Sequence, residues 1–164
     1  MTLDAGVRCN CIKEGKAKPH PFPDLLVLDP VDGPILKPSA TDEQWEAHEE
    51  WLNDPKICKH GGWIDGDFLG NVVLAENMRN ALRKIEEETD EIFPILLDEV
   101  VVNGTHTGDA VESIDAKRLL NEAETAEKLF PKHVPDATPF MKEFLKKMQR
   151  LAKASIATNN PIQF

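Results

Sequence analysis

Apolar side chains recur at helical spacing in four stretches of the chain, and these stretches set the expected architecture. After Pro139, residues Phe140, Phe144, Met148, Leu151 and Ser155 form one stripe that runs to about Ala157. Leu145, Ala152 and Ile156 widen it, and Lys142, Lys146, Arg150 and Lys153 line the other side. Leu74, Met78, Leu82 and Ile85 mark the buried face of a helix expected over Asn71 to Glu88. Leu119, Ala123, Ala126 and Phe130 are in register on a third, with Ser113 or Asp115 as its cap. A shorter helix opens at Thr41 and closes near Asn53-Asp54-Pro55, with Trp45, His48 and Leu52 on one face and Trp51 beside them.

Short apolar runs between these stretches predict strands. Leu25 to Asp29, closed by Pro30 and Gly33, reads as a buried strand, and Ile35-Leu36 as a second extended piece. Phe93 to Leu97 and Val100 to Val102 carry the strongest strand signal, followed by the turn dipeptide Asn103-Gly104. Residues 1–14 show little periodicity of either kind. Prolines at 19, 21 and 23 predict an extended passage from Lys16 to Pro23. The tail ends apolar at Ile162 and Phe164, which favours docking on the core. Together these features predict a helix-rich α+β fold with a small sheet near residues 25–29 and 95–102. It forms a single domain over 1–164, with 1–63 as an N-terminal, metal-site part and 64–164 as the helical and strand core.

The chain has 164 residues, enough for a hydrophobic core without a staple. Its formal net charge of −10 argues against a generic nucleic-acid or anionic-membrane binder, because phosphate contacts are made by Lys and Arg. A basic protein partner suits this sign, and so does simple solubility. No signal peptide and no membrane-length apolar run is evident, so the expected compartment is the cytoplasm. Three cysteines are too few for a disulfide scaffold.

All three cysteines fall in two short pairs, Cys9-Asn10-Cys11 and Cys58-Lys59-His60, the second completed by a histidine. Three thiolates and one imidazole form a Cys₃His shell for a structural Zn²⁺, with all four ligands from the protein and no position open for water. A C-x-C pair in an extended segment projects both sulfurs to one side. Gly61 and Gly62 let backbone N–H groups approach the sulfurs, and Arg8, Lys13, Lys56 and Lys59 favour thiolate. Two other readings of the same residues stand beside zinc: three reduced structural cysteines, or a redox or nucleophilic cysteine.

Other residues offer less. His106 in the loop Asn103 to Asp109, with Asp109 three residues on, is a candidate general base, against the plainer reading of a polar turn. His48 reads as a packed or half-exposed histidine, while His20 and His133 sit in proline-rich segments without a signal of their own. Trp45, Trp51 and Trp63 read as core around the metal pairs. Glu86, Glu87, Glu88, Asp90 and Glu91 crowd a helix C-terminus, where the macrodipole disfavours negative charge, and no structural partner for them is evident. Glu86, Glu87 and Glu88, with Asp65, Asp67, Asp109 and Glu112, therefore form the candidate surface for a basic partner. Trp63 and Phe68 are the candidate aromatic anchors. No phosphate-binding glycine loop, nucleophile elbow or H-E-x-x-H motif occurs.

Five features taken together resemble small bacterial proteins, some of them immunity partners of polymorphic toxins. These are the C-x-C start, the Trp45-x-x-His48-x-x-Trp51 helix, the Cys58-x-His60-Gly-Gly turn, the Asn103-Gly-Thr-His-x-Gly-Asp loop and the closing Asn160-Pro-Ile-x-Phe164. That resemblance implies an intracellular, non-enzymatic inhibitor that binds a toxin's catalytic domain. A small enzyme using His106 and Asp109 is the alternative.

Overall fold

A computed structural model of the protein describes residues 2–29, 32–101 and 110–164. It divides into two compact units: Arg8–Ile64, and Met1–Val7 with Asp65–Phe164. The fold is α+β and helix-rich, with small antiparallel sheets.

The larger unit is built on helices. Its chain runs β1 (Thr2–Arg8), then, after the smaller unit, β4 (Trp63–Asn71), α2 (Val72–Glu88), β5 (Ala110–Val111), α3 (Ala116–His133), α4 (Pro139–Thr158) and β6 (Ile162–Gln163). The four strands form one sheet in the order β4-β1-β6-β5. Leu82 and Ile85 of α2, Leu119 and Phe130 of α3, and Phe144, Met148 and Leu151 of α4 are buried together in one core. Burying each such side chain contributes roughly 1.5–3 kcal/mol. The helix faces follow the sequence periodicity, with two exceptions on α4. Phe140 and Ile156 are exposed, and Met141 takes the inward place at the first turn. Thr138 caps α4 by accepting from the Met141 N–H, and Asn71 caps α2 by accepting from the Leu74 N–H. Ile162 of β6 is buried and pairs with Val7 and Val111, so the apolar tail does dock as a strand.

Three expectations are corrected. Residues 94–100 are helical, not extended, and Leu96–Val100 form a π-turn. A short apolar run does not distinguish a buried strand from a buried helix. Here the Glu122 carboxylate, itself buried, accepts the backbone N–H groups of Ile95 and Leu96 and so anchors the start of that turn. Residues 2–8 form a strand, although the segment was expected to lack pattern. Leu3, Ala5 and Val7 alternate into the core at the period of a strand. The sheet itself is not made of residues 25–29 and 95–102. Among the described residues β2 (Leu26–Asp29) pairs only with β3 (Gly33–Leu36), both in the smaller unit. Val27 and Leu28 of β2 are exposed rather than buried.

The smaller unit holds that strand pair and α1 (Asp42–Leu52). Thr41 and Gln44 form a reciprocal capping box at the helix start. The buried His48 of α1 bonds His20 at 3.0 Å and the Pro34 carbonyl of β3 at 3.2 Å. Thus α1, the strand pair and the proline-rich segment are joined through two imidazoles. No helix among the described residues is long and apolar enough to cross a membrane.

Candidate metal centre

The two cysteine-bearing pairs lie 49 residues apart in sequence and are brought together in the smaller unit by backbone bonds. The Cys9 N–H donates to the Gly62 carbonyl at 3.1 Å, and the Lys18 N–H donates to the Ile57 carbonyl at 2.7 Å. Cys11 opens a tight turn in which Lys16 and Ala17 donate to its carbonyl. The second pair sits in a turn closed by Gly61 and Gly62, whose φ values of 62° and 89° lie in the left-handed region that favours glycine. This turn aims both Cys58 and His60 at the first pair.

The four ligand atoms all lie within 4.8 Å of one another, a spacing compatible with one metal ion. Cys9 Sγ and Cys58 Sγ are 3.6 Å apart, and Cys11 Sγ and His60 Nδ1 are 3.2 Å apart. The first distance is far beyond the roughly 2.05 Å of a disulfide, so the cysteines are free thiols. Cys9 and Cys11 are buried, while Cys58 and His60 lie partly open to solvent. Burial pushes the Cys9 thiol up to about 11, and its sulfur neighbours add to the shift. Burial also acts to raise Cys58, but the N–H groups of Gly62 and His60, together with the Cys9 and Cys11 thiols, outweigh it and hold that thiol below its ordinary value. The Gly62 N–H reaches Cys58 Sγ at 3.4 Å. The glycine turn therefore shapes the site and also supplies a donor to a sulfur. Arg8, beside Cys9, stacks its guanidinium over the Trp63 ring at 4.3 Å.

The other sequence-derived residues are dispersed. Asp65 and Asp67 of β4 both accept from Arg150 of α4, at 2.6 and 2.8 Å, and Lys147 adds a second ion pair to Asp67. Glu86 accepts the Phe93 N–H, and Glu88 accepts from the buried His133 at 2.6 Å. Two of the α2 carboxylates thus have structural partners, contrary to expectation. Glu87 and Glu112 are exposed, and among the described residues neither side chain has an ion-pair partner. Trp63 and Phe68 are partly exposed, at 39% and 50%. Trp51 stacks on His48 and meets His20 edge-on, while Trp45 meets His48 edge-on and is exposed rather than part of a core. His106 and Asp109 lie outside the described residues.

Sequence reasoning missed three buried polar residues. His20 and His133 were passed over because proline-rich surroundings suggest loops, and Glu122 was hidden on the polar side of a helical pattern. For His20 the usable signal was its shared composition with His48, Trp45 and Trp51. Glu122 offered none, since its partners are backbone groups. No protein-family model, curated protein or solved structure matches the chain. Fold and site define the class: an α+β protein with a Cys₃His cluster compatible with metal binding.

Proposed function

We propose that Cys9, Cys11, Cys58 and His60 hold a structural Zn²⁺, and that the protein is a non-enzymatic, immunity-like binding protein for a basic partner such as a toxin domain. The observation that carries the metal assignment is the cluster's geometry. Zn–S bonds of about 2.3 Å and a Zn–N bond of about 2.0–2.1 Å in a tetrahedron require S···S edges of roughly 3.8 Å and S···N edges of roughly 3.5 Å. The observed 3.6 and 3.2 Å contacts are close to those edges. Zinc is favoured over harder cations because three donors are thiolates. With four protein ligands no coordination position remains for water, so the ion staples the chain and does not activate a substrate.

The binding role rests on the acidic balance and on side chains left without internal partners. Glu87 and Glu112 supply uncompensated charge, and the half-exposed Phe68 supplies an apolar anchor. Asp65, Asp67, Glu86 and Glu88 are engaged internally and would contribute less. The test is capture of partners from the source cell, followed by association kinetics at low and high salt. The double variant Glu87→Gln, Glu112→Gln should associate more slowly and with a flatter salt dependence, while Phe68→Ala should dissociate faster. Failure to recover any partner, together with a turnover that depends on His106, would replace this reading with an enzyme.

A further inference from the structure

The thiols of the cluster are unequal in where they sit, and the difference assigns them different fates under oxidation. Cys9 is attached to the turn that carries Cys58 by its own backbone, through its N–H to the Gly62 carbonyl. Gly62 in turn donates to Cys58 Sγ. Cys9 Sγ and Cys58 Sγ already lie 3.6 Å apart, so a bond of roughly 2.05 Å requires the two sulfurs to approach by about 1.6 Å. Cys11 Sγ lies 3.2 Å from His60 Nδ1 and also neighbours the Cys9 and Cys58 sulfurs, so it is the competing partner for Cys58. Cys9 and Cys11 are separated by one residue, and a disulfide between them would close a small strained ring with little gain in chain entropy. Cys58 is the least buried of the three thiols, which makes it the first accessible to an oxidant.

We infer that Cys9 and Cys58 form a built-in disulfide pair, which replaces the metal as the link between the N-terminal segment and the 58–62 turn when a hydroperoxide oxidises the site. The inference rests on the metal reading only for the release of the ion, since the pairing itself applies equally to the metal-free thiols. The Cys58 thiolate attacks the distal peroxide oxygen and the O–O bond breaks. The leaving alkoxide takes a proton from solvent to give an alcohol, or water from hydrogen peroxide. The Cys9 thiol then gives up its proton to solvent, and its sulfur attacks the sulfenic acid formed at Cys58. An S–S bond forms, the S–O bond breaks, and the departing hydroxide takes a second proton and leaves as water. The two sulfurs lose two electrons, and the peroxide is reduced by two. Any bound ion, having lost two of its four ligands, departs as the aqua cation. Cys11 ends as a free thiol beside His60. Because residues 9 and 58 stay cross-linked, oxidation exchanges one staple for another rather than unfolding the unit.

The experiment treats the full chain with hydrogen peroxide in two arms, one loaded with Zn²⁺ and one metal-free and reduced. Released zinc is followed with a chromogenic chelator, remaining thiols are alkylated, and the linkages are mapped by peptide mass. The expected result is a Cys9–Cys58 linkage in both arms, alkylation of Cys11 alone and release of the zinc in the loaded arm. Circular dichroism should stay native, and a thiol reductant with Zn²⁺ should restore the starting state. The Cys11→Ser variant should form the same disulfide, while Cys9→Ser should form no intramolecular one. A Cys9–Cys11 or Cys11–Cys58 linkage, or conversion of Cys58 to sulfinic acid with Cys9 still reduced, would overturn the inference. Absence of bound zinc before oxidation, with the Cys9–Cys58 linkage still forming in the metal-free arm, would count against the metal reading alone.

Discussion

His20 Nε2 lies 3.0 Å from His48 Nδ1, and both rings are buried. The neighbouring bonds fix the proton on each ring. The Phe22 N–H donates to His20 Nδ1, so His20 carries its proton on Nε2 and donates it to His48. His48 then carries its own proton on Nε2 and donates to the Pro34 carbonyl. The chain of donors runs from a backbone amide to a backbone carbonyl through two neutral imidazoles. A second N–H proton on either ring would set two N–H groups facing each other. His48 is held below its ordinary value by burial first and by His20 second, with Arg8 adding to the effect and the Pro34 carbonyl and Glu49 opposing it.

A pH dependence of known sign follows. A histidine with a lowered folded-state value contributes stability that is fully present above its unfolded value, about 6.5, and is lost as pH falls through the folded value. Thermal unfolding of the metal-free protein should therefore shift downward as pH is lowered from about 7.5 to about 5, within the range in which histidine titrates. His48→Gln retains an acceptor toward His20 and a donor toward Pro34 but does not titrate. Its melting temperature should fall less over the same range. An equal fall in both proteins would remove the histidine pair from the explanation.

Glu122 holds the turn at residues 94–100 and should be expensive to remove. Glu122→Ala leaves the N–H groups of Ile95 and Leu96 without their acceptor, at a cost of about 1–3 kcal/mol per buried group. Glu122→Gln keeps one carbonyl acceptor and should lose less. Urea unfolding of the two variants measures the difference, and equal midpoints for Ala and wild type would refute the capping role.

The helices were legible in the sequence because their apolar faces repeat over many turns. Leu119, Ala123, Ala126 and Phe130 are buried as their spacing requires. The strands were less legible for two reasons. β1 alternates apolar and polar residues but contains Gly6, and β6 is only two residues long and owes its state to pairing with β1 and β5. The 94–100 segment was misread because its conformation depends on a carboxylate more than twenty residues away. The clustering of Cys9, Cys11, Cys58 and His60 was legible, since the two pairs hold every cysteine of the chain. The paired states of Asp65, Asp67, Glu86 and Glu88 were not, because Arg150, His133 and the Phe93 N–H reach them only through the fold.

The ion network between β4 and α4 should have a modest effect. Arg150 bridges Asp65 and Asp67, but its side chain is half exposed, and exposed pairs contribute about 0–1 kcal/mol each. Arg150→Ala is expected to lower stability by about 1 kcal/mol in low salt and by less in high salt, as screening requires. A loss several times larger and independent of salt would mean that packing of the Arg150 stem, rather than charge, is what matters.

Cys58→Ser should be far more damaging. Metal affinity is linked to folding, and loss of a metal is among the mechanisms behind the largest single-site effects, roughly 3 kcal/mol or more. Strong chelation of the wild type should lower its melting temperature toward that of the variant. Chelation with confirmed metal loss and an unchanged melting curve would show that the cluster does not stabilise the fold.

X-ray absorption at the zinc edge reads the ligand shell itself, on protein purified without added metal and with elemental analysis of the same sample. A closed Cys₃His shell gives one zinc per chain, with three sulfur ligands at about 2.3 Å and one nitrogen at about 2.0–2.1 Å. A metal-free protein, or a shell containing water or fewer than three sulfurs, would contradict it.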